Sequence, residues 1–259
     1  MALHHSTRTL CTFHMPTDAL PRPLVLASTS VYRRELLGRL HMPFDVVSPE
    51  VDETPLAGET PVALALRLAR AKARAGVALR PGSVVIGADQ VATLDATRIQ
   101  APSGQIATPE DEVSFHPTVR DLIGQPIGKP GTFDAALAQL QAMRGHTVSF
   151  HSALAVDDGE RVECIDVVTR ATFRDLPDAA LIAYLRTESV LDTAGSAKAE
   201  GLGIALMSRI DSDDPTALIG LPLIALTRML ASFGLDPLLR LASRDPIPHT
   251  PLLPTEIRQ

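Results

Sequence analysis

Two short apolar runs, Leu24–Ala27 and Val84–Gly87, flank one long amphipathic helix pattern, and this alternation constrains the fold more than any other feature of the chain. Short, wholly apolar runs bounded by turn residues are what buried strands look like. The helix between them starts at Thr60-Pro61, an N-cap followed by proline at the first helical position. It runs to about Leu79 and stops at Pro81-Gly82. Downstream, residues 132–143 predict a helix with Ala135, Leu137, Leu140 and Met143 among its apolar positions. Thr147–Val156 and Arg161–Phe173 predict two strands joined by the turn Asp157-Asp158-Gly159, a hairpin signal. Pro177 opens a helix ending near Arg186, and Pro222 opens another ending near Phe233. Strands alternating with helices, plus a hairpin, predict an α/β fold with a mixed β-sheet and flanking helices.

Other segments fall outside this pattern. Residues 1–21 lack periodicity and read as a disordered N-terminal arm or as the product of an upstream start codon. Residues 96–126, with Pro102, Gly104, Pro109, Pro117, Gly124 and Pro126, read as a surface insertion; the functional alternative is a lid or dimer contact. Residues 236–259 read as a proline-rich C-terminal tail, leaving 22–235 as the domain. A net charge of −6 and a pI near 5.7 argue against nucleic acid as a partner, so any positive charge that matters must be local. Cys11 and Cys164 have no CxxC spacing, and neither a membrane-spanning run nor a secretory h-region is present, so a cytoplasmic protein with no membrane partner is the expectation.

The chemistry is concentrated near the first strand. Leu24–Ala27 runs into the hydroxyl-rich turn Ser28-Thr29-Ser30, and a helix follows with Arg33 and Arg34 near its start. Unpaired N–H groups and the positive dipole end make a helix N-terminus a seat for phosphate, and guanidinium forks match phosphate oxygens. Further on, Val51-Asp52-Glu53 supplies carboxylates of the hard-oxygen kind that Mg²⁺ prefers. On the long helix, Arg67, Arg70 and Arg74 share a solvated face, whereas Lys72 falls on an apolar stripe with Ala65, Leu68 and Leu79. A lysine there needs a buried carboxylate or a ligand phosphate, unless it snorkels to the surface. Asp89 follows the second apolar run, at the mouth of a parallel-type sheet where α/β folds bind ligands; capping a nearby helix is the plainer alternative. His41, His116, His146 and His151 show no metal-binding spacing.

The chain resembles the Maf family of nucleoside triphosphate pyrophosphatases. The resemblance starts in residues 24–54 and continues in order through Val84–Gln90, Ile127-Gly128-Lys129-Pro130, Ala194–Gly203 and Leu218-Ile219-Gly220-Leu221-Pro222. It covers roughly residues 22–235 apart from the insertion. The resemblance implies an elongated mixed sheet with two lobes around a central cleft, a homodimer, and a divalent cation, Mg²⁺ or Mn²⁺. It also implies triphosphate binding by Ser28, Arg33, Arg34, Lys72 and Lys129. Asp89 resembles the family's general base and could also ligate metal; Glu53 is the expected metal ligand, with Glu35 a weaker candidate.

Three positions speak to the base: Tyr32, Gln90 and Glu200. In the branch that hydrolyses dTTP and UTP, the Tyr32 position is typically arginine and the Glu200 position glutamine, so both residues here resemble the 7-methyl-GTP branch. The physics agrees, because a methylated guanine is cationic: it stacks on an aromatic face, and a carboxylate accepts its N–H donors while countering its charge. Val31 stands where the family usually has proline, and Thr193 where the branch usually has cysteine; neither carries the chemistry. The resemblance thus implies hydrolysis of 7-methyl-GTP, or a similar modified nucleotide, to the monophosphate and pyrophosphate. The alternatives are the same reaction on dTTP, UTP or CTP, and a non-catalytic regulator of septum formation.

Overall fold

The computed structural model describes residues 21–99 and 123–242. The expectations for residues 1–20 and 243–259, and for most of the 96–126 segment, lie outside the described residues. The described elements are β1 Leu24–Ala27, α1 Val31–Gly38, β2 Asp45–Val47, α2 Pro61–Leu79, β3 Val84–Ile99, α3 Phe133–Met143, β4 His146–Asp157, β5 Val162–Phe173, α4 Asp178–Thr187, β6 Met207–Ser212, α5 Leu223–Ser232 and α6 Pro237–Ala242. Short 3₁₀ turns lie at Ala194–Ser196, Leu202–Leu206 and Ala217–Ile219.

The strands form one six-stranded mixed sheet in the order β2-β1-β3-β4-β5-β6. β1 is parallel to β2 and β3, and the remaining pairs are antiparallel. The strand expected to end at Gly87 instead continues to Ile99. Its apolar run stops because Asp89 and Gln90 are polar, while its backbone continues in register against β4 from Val85↔Asp157 to Leu94↔Val148. Strands β2 and β6 had no clear signal, and α6 occupies the start of the segment expected to be a tail. The hairpin turn forms as expected: Gly159 takes φ 89°, and Asp157 and Asp158 accept its backbone donors.

Side chains alternate across a strand, so the even-numbered residues of β3 and β4 share one face. On that face Leu24, Leu26, Ile86, Leu154 and Val156 pack with Leu36 and Leu37 of α1 and Leu226 and Leu230 of α5, forming one lobe. Farther along the same strands, Ala92, Leu94, Val148 and Phe150 pack with Leu140 and Met143 of α3 and Leu181 and Tyr184 of α4, forming the other. Each fully buried Leu, Ile or Phe here contributes about 1.5–3 kcal/mol. Gln90 and Ser152 occupy the same face between the two apolar clusters.

α2 covers the opposite face through Leu64, Ala65, Leu68, Ala69 and Ala73. Leu79, expected on the buried stripe, is exposed because it lies in the last turn, past the sheet. Two glycines bring α2 unusually close. A Cβ on Gly87 would lie 2.3 Å from the Ala69 carbonyl oxygen, and one on Gly76 would lie 2.5 Å from Val85 Cγ1. Helix backbone therefore rests directly on β3, which sets the depth at which Lys72 enters the sheet edge.

Candidate active site

β1 ends opposite Gly87, and the next described partner on that edge of β3 is Ile127, bridged to Ala92. Among the described residues, no strand pairs with that edge over residues 88–91. The gap opens into a cleft of about 940 Å³ bordered by both lobes. Because the strand edge is open, residues from both sheet faces border one space: Asp89 from the α2 side and Gln90 from the α1 side.

The turn after β1 is built as an anion seat. Ser30 caps α1 by accepting from the Arg33 backbone N–H, and Ser28 Oγ accepts from the Ser30 N–H at 3.2 Å. Arg33 anchors its guanidinium on the Gly220 carbonyl at 2.9 Å and reaches Ser28 Oγ at 3.4 Å. Burial lowers the Arg33 pKa, and the charges of Asp89 and Glu53 offset part of that effect. Arg34 is exposed and is not among the residues lining the cleft, so the arginine pair divides into one inward and one outward member. Glu35 lines the rim, as does Lys129, which is exposed.

Lys72 joins two carboxylates. Its Nζ lies 2.6 Å from Asp89 Oδ1 and 2.6 Å from Glu53 Oε1. The Lys72 and Asp89 side chains are each only 11% exposed, whereas Glu53 is 55% exposed. The partner that the apolar stripe required is thus a buried carboxylate. For Glu53, desolvation raises the carboxyl pKa, but the Lys72 hydrogen bond and the charges of Lys72, Lys129 and Arg33 outweigh it and leave the group below its usual value. Asp89 Oδ2 has no hydrogen-bond partner among the described residues and remains available to a ligand or water. Among the described residues, no group of three or more His, Cys, Asp and Glu is arranged to hold a metal ion.

Tyr32, from α1, and Glu200, from the loop between the 3₁₀ turns, also line the cleft, together with Gln90. That loop is pinned by residues that spacing alone did not single out. Lys198, 8% exposed, hydrogen-bonds the Ser189 carbonyl through Nζ, which also lies 5.2 Å from the centroid of the Tyr32 ring. Its backbone N–H donates to the Tyr184 hydroxyl at 3.1 Å. Burial, with Glu188, Glu200 and Tyr32 nearby, pushes that hydroxyl up to about 12. Glu188 accepts from the Leu202 N–H at 2.9 Å, and Gly203 packs on the Lys198 backbone, where a Cβ would lie 2.4 Å from its oxygen. The signal for Lys198 was a charged residue within a Gly/Ala-rich loop, which reads equally well as solvated.

A sequence model of the family described as "Maf-like protein" matches residues 23–233. A 7-methyl-GTP pyrophosphatase of Bordetella pertussis is 57% identical over 220 residues, 85% of this chain and 96% of that one. Proteins of the same name from Burkholderia thailandensis and Paraburkholderia xenovorans are 58% and 56% identical, covering 84% of this chain and 90% and 96% of theirs. Among solved structures, the Staphylococcus aureus Ham1 protein is a distant likeness, with a TM-score of 0.33 and 13% identity over 60% of this chain and 73% of that one.

Proposed function

The chain belongs to the family of Maf-like proteins, and from that premise we propose that it hydrolyses 7-methyl-GTP, or a similarly modified nucleotide, to the monophosphate and pyrophosphate. The observation that carries this reading is the Lys72–Asp89–Glu53 cluster at the open edge of β3, beside the anion seat at the start of α1. Relatives bearing the name 7-methyl-GTP pyrophosphatase at 56–58% identity support it.

In this reading the triphosphate lies along Ser28, Arg33, Lys72 and Lys129, with Arg34 contributing long-range charge from outside the cleft. Asp89 uses Oδ2 to orient a water and take its proton as the water oxygen attacks phosphorus. The bridging P–O bond of the α–β anhydride breaks, and the two phosphate products separate. Lys72 holds Asp89 in place and shares its charge with a phosphate oxygen, stabilising the negative charge that develops.

The donor set fits a divalent cation. Glu53 and Asp89 present hard oxygens that already converge on one cation, the Lys72 ammonium, and Mg²⁺ is commonly held by one or two carboxylates plus substrate phosphates. When bound, such an ion neutralises charge on the phosphates. Tyr32, Gln90 and Glu200 read the base, with Tyr32 stacking on the cationic ring and Glu200 accepting its N–H donors.

No helix among the described residues is long and apolar enough to cross a membrane. A cytoplasmic homodimer completes the proposal, and analytical ultracentrifugation tests its assembly state. The activity is tested by product analysis across 7-methyl-GTP, GTP, dTTP, UTP and CTP. Pyrophosphate with 7-methyl-GMP, fastest from the methylated nucleotide, is the expected result. Preference for a pyrimidine nucleotide would favour the other branch's substrates, and absence of turnover on all five would favour a regulator.

A further inference from the structure

Gln90 lies on β3 where the two lobes meet, and its amide orientation is determined by its neighbours. Nε2 has three acceptors in reach: Ser152 Oγ at 3.0 Å, the Ala217 carbonyl at 3.1 Å and the Leu218 carbonyl at 3.0 Å. Carbonyls only accept. The Ser152 hydroxyl donates its proton to the Ala217 carbonyl at 2.7 Å, so it offers Gln90 a lone pair and not a proton. Turning the amide over would press Oε1 against three oxygen lone pairs. Ser152 is 0% exposed, so water cannot easily substitute for it. Gln90 lines the cleft, and Oε1 accepts no hydrogen bond among the described residues.

We propose that Gln90 is an obligate acceptor in the base site, held so by Ser152 as a positioning residue, and that it reads the exocyclic 2-amino group of a guanine. The proposal rests on the functional reading above and adds the polarity of one contact. Two residues with acceptor oxygens, Gln90 and Glu200, line the same cleft. Guanine alone among the common bases places an N–H and an amine side by side. Uracil and thymine flank their N–H with carbonyls, and adenine and cytosine set a ring acceptor beside their amine. Glu200 takes N1–H and one amine hydrogen, leaving the second amine hydrogen for Gln90.

The test compares kcat/KM for 7-methyl-GTP and 7-methyl-ITP, which lacks the 2-amino group, in the wild type, Gln90→Leu and Ser152→Ala. Loss of a donor from a site built to bind it should cost the wild type roughly ten- to a hundredfold. In Gln90→Leu that ratio should shrink by about fivefold or more, through loss of 7-methyl-GTP activity, and Ser152→Ala should fall between. An unchanged ratio in folded Gln90→Leu overturns this proposal alone; no turnover of either nucleotide by the wild type overturns the functional reading with it. Should Gln90→Leu fail to fold, hydrogen exchange of the Gln90 side-chain amide in the wild type decides: protection is expected, and exchange as fast as in free glutamine would contradict the lock.

Discussion

Lys72 on α2 donates to Asp89 on β3 across 2.6 Å, and the pair is nearly buried at the stretch of β3 edge, between β1 and Ile127, that no strand among the described residues pairs with. The contact depends on how closely α2 lies over the sheet. That dependence leads from a glycine in the core to the chemistry in the cleft.

Gly87→Ala is expected to damage both stability and turnover. The added Cβ meets backbone on two sides, the Ala69 oxygen at 2.3 Å and the Ala73 nitrogen at 2.5 Å, and backbone cannot rotate away. Overpacking of this kind costs about 1–3 kcal/mol. Denaturant unfolding should show that loss, and kcat should fall as Lys72 is lifted from Asp89. Gly76→Ala should be milder, because its nearest neighbour is a side-chain methyl, Val85 Cγ1.

Lys72→Met should destabilise the fold by about 3–5 kcal/mol if Asp89 stays ionised, because a nearly buried carboxylate is left without its cation. Adding Asp89→Asn should recover much of that stability while leaving the enzyme inactive. A double-mutant cycle by urea unfolding checks this, and additive losses would show that the two charges do not depend on each other.

Most of the scaffold was legible in the residues themselves. The N-cap Thr60 with Pro61, the Asp-Asp-Gly turn and the prolines before α4 and α5 each mark a boundary by a local mechanism, and the structure places the elements there. β2 was not legible because it is only three residues long, and β6 because it is an edge strand whose Ser208, Arg209, Ile210 and Ser212 face solvent. β3 was truncated in the sequence reading because Asp89 and Gln90 serve the cleft and not the core. Lys72 was legible as a charge that needed a partner. Ser152 and Lys198 were not, because their roles depend on partners 62 residues away at Gln90 and across the lobe boundary at Tyr32.

Acid stability should depend on the hairpin turn. Asp158 accepts from Arg22 and from the Glu160 and Arg161 N–H groups; desolvation raises its carboxyl pKa, but these bonds prevail and hold it at about 2. A depressed folded-state value means the stabilisation is present above the unfolded value near 3.8 and is lost as pH falls through about 2. Asp158→Asn should therefore have a lower Tm at neutral pH, with the gap to wild type closing between those two values. A gap that stays constant with pH would rule the carboxylate out as its source.

Glu200→Gln keeps the size of the side chain and removes the countercharge for a methylated base. A charge-assisted contact is worth about 1.5–3 kcal/mol, so selectivity for 7-methyl-GTP over GTP should drop roughly tenfold or more. Competition kinetics with the two nucleotides measures it, and unchanged selectivity would mean that Glu200 does not read the base.

The central claim, that Asp89 activates the attacking water, is tested most directly by kcat and KM for 7-methyl-GTP in Asp89→Asn at saturating Mg²⁺. An amide keeps the shape but accepts no proton at neutral pH, and general-base catalysis contributes about 10²–10⁴-fold. The account predicts a fall in kcat of that size with KM little changed, because Ser28, Arg33 and Lys129 still hold the phosphates. A kcat preserved within a few-fold, with any loss confined to KM, would contradict it and move the base to another residue.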